Sequence, residues 1–193
     1  MYTELEILND VLAGPGYAPV ANVDIVHPAV RDALRQIDKA RKEVLTRKLW
    51  FNHYKTTLPR QPDNRIMLPL NTIAVTPVCS RFLSAVVQRD RYLFDLANGT
   101  AEFDADVEAY ITLAVALEDM PPVAQAYVQA LARLRYYVEK GGQAKAQIMD
   151  REVKDALGAL NQEHLQQSKT NWQNSPMGSH KYMVPFQTEW RQE

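Results

Sequence analysis

Two runs of apolar residues at three- and four-residue spacing meet at Gly141–Gly142, and no other feature constrains the fold as strongly. The first lies in LEDMPPVAQAYVQALARLRYY, Leu117 to Tyr137. There Val123, Tyr127, Leu131 and Leu134, continued by Val138, form one stripe, while Gln125, Gln129, Arg133 and Glu139 point elsewhere. Pro121 and Pro122 fall in a first helical turn, where a missing N–H is tolerated, and Glu118 or Asp119 is placed to cap that turn. The second run carries Ala144, Ile148, Val153, Leu157, Leu160 and Leu165. Glycine ends the first helix, so an antiparallel helical hairpin is expected, with helices of roughly 30 to 40 Å at about 1.5 Å per residue.

The N-terminal part adds two more helices. Tyr2 to Ala13 reads as a short amphipathic helix stopped by Gly14-Pro15-Gly16. After a loop, Pro28 opens a long helix whose stripe is Val30, Ala33, Leu34, Ile37, Ala40, Val44 and Leu45, with Arg31, Arg35, Lys39, Arg41, Lys42, Arg47 and Lys48 on the other face.

From Leu49 to about Leu117 the pattern changes to short β-favouring runs: WFNHYKTTL, RIMLPL, IAVTPV, SAVVQ, RYLFDL and VEAYITLAV. Pro59, Pro62, Pro69 and Pro77 confine their neighbours to edges or strand ends. A tight connection is expected at Arg89–Arg91 and a turn at Asn98–Gly99. After Ser168 no period survives, and isolated aromatics, Trp172, Tyr182, Phe186 and Trp190, stand in a polar tail that reads as an arm able to dock into a partner's pockets.

The chain's 193 residues, 46% of them hydrophobic, suit one domain of ordinary size. A lone cysteine, Cys79, cannot form an internal disulfide and reads as a structural thiol in a strand-like run, and no secretory pattern opens the chain. Folding in the reducing cytoplasm of a cell is expected. The longest apolar stretches, such as Ala109 to Leu117, fall short of the roughly 20 residues needed to cross a bilayer, so no membrane insertion is expected.

Net charge is only −1, far from the balance of a dedicated nucleic-acid binder, yet its distribution is uneven. Arg31 to Arg60 holds nine basic residues against three acids, whereas Asp95 to Asp119 holds seven acids and no base. Opposite patches on one chain suit head-to-tail contact between copies, and Arg31, Arg35, Lys42, Asp104, Asp106 and Glu108 are the candidate contact residues.

Motifs for chemistry are sparse. His27, His53, His164 and His180 are scattered without metal-ligand spacing, no phosphate-cradling glycine motif occurs, and Ser80 and Ser84 lie outside any GxSxG elbow. No catalytic residue, cofactor or metal is therefore expected. Two other functions fit part of the sequence: a cell-envelope polysaccharide hydrolase using Asp104 and Asp106 as paired carboxylates, and a small DNA-associated regulator using the basic helix 31–48 with Trp50 beside it. Solvated acids, helix capping and a core tryptophan explain the same residues without substrate or DNA.

Four stretches, in order, resemble one family. EILNDVLAGPGYAPV (Glu6 to Val20), LWFNHYKTTLPRQPDNRIMLP (Leu49 to Pro69), RDRYLFD (Arg89 to Asp95) and LEDMPPVAQAYVQALARL (Leu117 to Leu134) look like the tail tubular protein A family of short-tailed bacteriophages. The segment Asn71 to Ser84 and the tail match no pattern of that family. The resemblance implies a virion protein without an active site. It implies an adaptor that forms a homo-oligomeric ring, a dodecamer, between the portal protein and the tail nozzle (tail tubular protein B), with tail fibres nearby and DNA passing transiently through the lumen.

Combined with the residue pattern, this leads to an α+β fold: a bundle of long antiparallel helices (residues 1–48 and 118–167), an inserted, mainly antiparallel β module (49–117), and an extended C-terminal arm (168–193) that binds the portal through Trp172, Tyr182, Phe186 and Trp190. The stripe of the Leu117–Tyr137 helix is expected to pack inside the hairpin and against the basic helix, presenting polar faces to adjacent copies.

Overall fold

In a computed structural model of the chain, residues 2–78 and 86–173 are described, with side chains as far as residue 168. Among them are four helices and five strands in the order α1 (Glu4–Ala13), α2 (Pro28–Leu45), β1 (His53–Leu58), β2 (Thr72–Pro77), β3 (Val86–Arg89), β4 (Tyr92–Asp95), β5 (Val107–Leu113), α3 (Pro122–Glu139) and α4 (Ala146–Gln173). The fold mixes helices with small antiparallel sheets.

Helix α1 begins with a capping box. The Glu6 N–H donates to the Thr3 hydroxyl at 3.2 Å and the Thr3 N–H donates to the Glu6 carboxylate at 2.8 Å, satisfying two donors that the first turn leaves free. Its apolar face, Ile7, Leu8, Val11 and Leu12, is buried. Helix α2 starts at Pro28, as its N1 position favours, and His27 caps it by accepting the Ala29 N–H on Nδ1 at 3.1 Å. The stripe expected for this helix is the one buried, apart from a half-buried Leu34.

At α3 the outcome differs. Neither Glu118 nor Asp119 caps the helix: Pro121 holds the cap position without a side-chain hydrogen bond. The residues before it close a turn, with the Asp119 N–H donating to Ala116 O and the Met120 N–H to Leu117 O. That turn buries Leu117 and Met120 and leaves both acids in solvent. The actual stripe of α3 is Ala124, Gln125, Tyr127, Val128, Leu131, Ala132 and Tyr136, whereas Val138 is 52% exposed. Gln125 was expected to point away and is instead fully buried. Its Nε2 donates to Leu117 O at 2.9 Å and its Oε1 accepts the Tyr2 N–H at 3.0 Å, so the amide is tied at both ends. Helix α3 touches α1, α2 and α4, which is why it buries more than one narrow stripe.

Gly141 and Gly142 do end α3, through a Schellman arrangement. The Gly142 N–H donates to Tyr137 O at 3.0 Å and the Gly141 N–H to Val138 O at 2.9 Å, with Gly141 at φ 81°. A Cβ at Gly142 would lie 2.5 Å from the Tyr137 ring, so glycine is required there by space. In α4, Met149, Val153 and Leu160 are buried, but Ile148 and Leu165, assigned to the same stripe from spacing, face solvent. The helix also runs past the boundary expected at Ser168, so residue 172 belongs to α4. No proline interrupts residues 168–173, and the first one beyond is Pro176.

Strands β1, β5 and β2 form a three-stranded sheet in that order, antiparallel throughout, with a register shift between Thr72 and Ala74. Strands β3 and β4 form a separate hairpin, Arg89 opposite Tyr92, with Asp90 at φ 53° in its two-residue turn. The Asn98–Gly99 turn is present, and Asp95 anchors it by accepting the N–H groups of Ala97 and Asn98. RIMLPL forms no named strand; Arg65, Ile66 and Met67 make only isolated bridges. Its flanking prolines deny it a continuous ladder.

Two buried clusters result. One joins the four helices, from Ile7 and Leu8 through Val30, Ile37 and Val44 to Tyr127, Tyr136 and Leu160. The other lies in the β region, around Leu58, Ile66, Leu68, Leu93, Phe103, Val107 and Ile111.

Candidate interaction surfaces

Each described histidine has a structural role. His27 caps α2, His53 stacks on Tyr110 with ring centroids 5.4 Å apart, and His164 stacks on Trp50 at 5.9 Å. Among the described residues no three His, Cys, Asp or Glu side chains converge as metal ligands, and no helix is long and apolar enough to cross a membrane. Cys79, Ser80, Ser84 and His180 lie outside the described residues.

The basic face of α2 is more nearly neutral than its sequence suggests. Arg35 bonds Glu139 at 2.6 Å, Lys42 bonds Asp38 at 2.7 Å, Arg41 also reaches Asp38, Arg47 bonds Glu43 at 3.2 Å, and Arg135 of α3 pairs with Glu43 from the other side. Lys140 closes the row on Asp32 at 2.8 Å. Hydrogen bonds from Lys140, Lys42 and Arg135 hold the carboxyls of Asp32, Asp38 and Glu43, respectively, below the ordinary carboxylate range. Two of the pairs, Arg35–Glu139 and Lys140–Asp32, fasten α2 to the end of α3. Arg31 and Lys39 are exposed and form no ion pair among the described residues.

On the acidic side, Glu108 of β5 pairs with Lys55 of β1 at 2.8 Å, and Asp106 accepts the Arg60 N–H at 2.9 Å. Asp104 is exposed. With Asp95, Glu102 and Asp106 it rims a hollow of about 140 Å³, well below the roughly 300–1,000 Å³ of ordinary ligand clefts. The candidate contact residues thus fall on two separate parts of the chain: Arg31, Arg35 and Lys42 on α2, and Asp104, Asp106 and Glu108 before and within β5. Of the four aromatic arm residues, Trp172 lies on α4, and Tyr182, Phe186 and Trp190 lie outside the described residues.

A larger feature was not anticipated from spacing. Where α3 ends and α4 begins, an open groove of about 690 Å³ has an apolar floor of Leu134, Val138 and Ala146 and a polar rim including Gln36, Arg135, Gln147 and Asp150. The spacing had put Val138 in the packed stripe, so no signal for this groove was present in the sequence.

Comparison with known proteins gives the chain a family. The tail tubular protein family model matches residues 5–170, most of the chain. The chain belongs to the tail tubular protein family. A relative is tail tubular protein A of Klebsiella phage KP34, 26% identical over 167 residues that cover 86% of this chain and 89% of that protein. As a tail tubular protein, the chain is a structural component of a phage virion's tail.

Proposed function

We propose that this tail tubular protein is a head-to-tail adaptor: copies close into a ring, a dodecamer, that joins the portal protein to the tail nozzle formed by tail tubular protein B and lines the passage for DNA. The observation that carries this reading is the separation of unpaired charge. Arg31 and Lys39 are exposed on α2 and form no ion pair among the described residues, although Arg31 lies close enough to act on Asp32, whereas Asp104 stands exposed on the loop before β5, so a basic surface of one copy and the acidic loop of the next are open to each other. Contacts between two different patches are heterologous, and they close into a ring when the rotation between copies allows it.

In this reading residues 1–48 and 118–167 act as a helical bundle, and 49–117 as an inserted β module that faces the nozzle or the fibres. The two separate buried clusters support that division. The arm, Trp172, Tyr182, Phe186 and Trp190, engages the portal. Nothing in this scheme makes or breaks a covalent bond.

Negative-stain imaging of the purified chain mixed with its portal tests the proposal. A ring stacked beneath the portal is expected; portal particles with no added density would refute it.

A further inference from the structure

The loop between α1 and α2 carries an apolar tip: Val26 is 102% exposed and Ile25, beside it, 38%. This tip is tied down. Asn9 bonds both backbone groups of Val20, at 2.8 and 3.1 Å, and the His27 ring caps α2. The His27 N–H donates to Ile25 O at 2.8 Å, a three-residue turn with Val26 at its centre. A segment already held in shape loses little freedom on contact, so its apolar area is ready for a partner. The groove where α3 ends and α4 begins has the complementary shape, about 690 Å³ over a floor of Leu134, Val138 and Ala146. We infer that the Ile25–Val26 tip of one copy plugs this groove in the next copy. The inference rests on the reading that copies close into a ring, and it gives that ring an apolar contact.

Tip and groove lie at one end of the helical body. The Tyr136 hydroxyl donates to Ala29 O at 3.1 Å and Lys140 bonds Asp32 at 2.8 Å, which sets the start of α2 beside the end of α3. They also lie on opposite flanks of α2. Arg31 and Leu34 border the hollow beside the tip and Gln36 borders the groove, and at ~100° per residue Gln36 stands about 140–160° round the helix from both. Helix α2 therefore separates a chain's own tip from its own groove, and the occupant comes from another copy. A heterologous contact that closes about a ring axis joins opposite flanks at one level, which is how these two features are arranged. Charge agrees with shape. Asp24, next to the tip, and Lys145, next to Ala146, are exposed and form no ion pair among the described residues, so each meets its counter-charge across the contact. The rim carboxylates Glu139 and Asp150 are already bonded, to Arg35 and Lys154, and take no part.

The full chain assembled with its portal provides the test. Val26→Cys and Val138→Cys chains, each also carrying Cys79→Ser so that one thiol remains, are mixed, assembled and treated with a short bis-maleimide. We expect crosslinked pairs from the mixture and none from either variant alone. Separately, Val26→Asp places a carboxylate in the neighbour's apolar groove and should raise the protein concentration needed for ring assembly by about tenfold or more, since an unpaired buried charge is costly. Adding Val138→Arg to the same chain should recover assembly, and thermal unfolding checks that each variant is folded. Rings without crosslinked pairs, pairs formed by Val26→Cys alone, or rings formed equally well by Val26→Asp each overturn this contact and leave the ring reading standing. No ring from the wild-type chain overturns the ring reading and this contact with it.

Discussion

The side-chain amide of Asn52 donates to the carbonyl of Leu45 at 2.7 Å, joining the end of α2 to the start of the β region. The same amide donates to Leu113 O at 3.2 Å, and its oxygen accepts the Leu49 N–H at 3.0 Å. The Leu113 N–H returns to Asn52 O at 2.8 Å. One residue, 1% exposed, thus satisfies backbone groups from the helix end, the connecting turn and the last strand. Asn52→Ala removes the side-chain bonds to Leu45 O, Leu113 O and the Leu49 N–H while keeping the main-chain bond from Leu113, and is expected to cost about 2–4 kcal/mol, since each orphaned buried group costs ~1–3 kcal/mol. Urea unfolding measures it, with Asn71→Ala as control: Asn71 also bonds a carbonyl, Ala114 O, but is exposed, so a change within about 0.5 kcal/mol is expected there. Equal effects at the two positions would remove Asn52 from this role.

How far this was legible in the sequence varies by element. Helix α2 was readable because only one of its faces is buried, so period and burial coincide. Helix α3 misled because it contacts three other helices: its buried surface widens to take in Gln125, while Val138 at its end loses cover. A polar residue enters the core only when partners wait for it, and Tyr2 and Leu117, the partners of Gln125, lie far from one another in sequence. Asn52 was missed for the same reason. The β runs were visible as runs, but the pairing order β1-β5-β2 depends on partners far apart in sequence, such as Pro77 with Ala109 and His53 with Thr112, for which local pattern holds no signal. Of the surfaces, the charge asymmetry was visible in the chain, but its cancellation along α2 by Asp32, Asp38, Glu43 and Glu139 needed the helix geometry and the neighbouring α3.

Glycine substitutions separate space from propensity. Gly142→Ala would place a methyl 2.5 Å from the Tyr137 ring and is expected to destabilise, by about 1–3 kcal/mol, as overpacked sites do. Gly158, in the middle of α4, has nothing within 4 Å of the same added atom. Gly158→Ala is expected to stabilise by up to about 1 kcal/mol through helix propensity alone. Thermal unfolding of both variants checks the opposite signs; two shifts in the same direction would contradict the account of the joint.

Acid should loosen the tie between α2 and α3. The carboxyls of Asp32 and Glu43 have lower pKa values in the folded chain than when unfolded, because Lys140 and Arg135 bond their ionised forms. Such groups contribute stability that is fully present above their unfolded values, near 4, and is lost as pH falls through the folded values. Unfolding midpoints measured from about pH 6 down to about pH 2 should therefore decline in that acid range, and Glu43→Gln should flatten the decline. Solvent screening keeps each exposed pair's share small, so the informative quantity is the slope rather than the size. An unchanged slope in Glu43→Gln would assign the acid sensitivity elsewhere.

Charge exchange between copies tests the ring. Arg31→Glu with Lys39→Glu reverses two exposed cations of α2 that form no ion pair among the described residues; the residues of the α2–α3 pairs are kept, and because Arg31 also acts on Asp32, thermal unfolding of the variant checks that the fold is retained. Assembly with the portal should fail or demand much higher protein concentration, because each heterologous contact is repeated around the ring. A loss of only ~0.5–1 kcal/mol per contact then accumulates over every interface. Adding Asp104→Lys to the same chain restores opposite signs across the interface and should recover assembly, as followed by sedimentation velocity and negative-stain imaging. Wild-type assembly should also weaken as salt rises and screens the exposed charges. Rings that form equally well in the reversed variant would show that α2 faces something other than the acidic loop of the next copy.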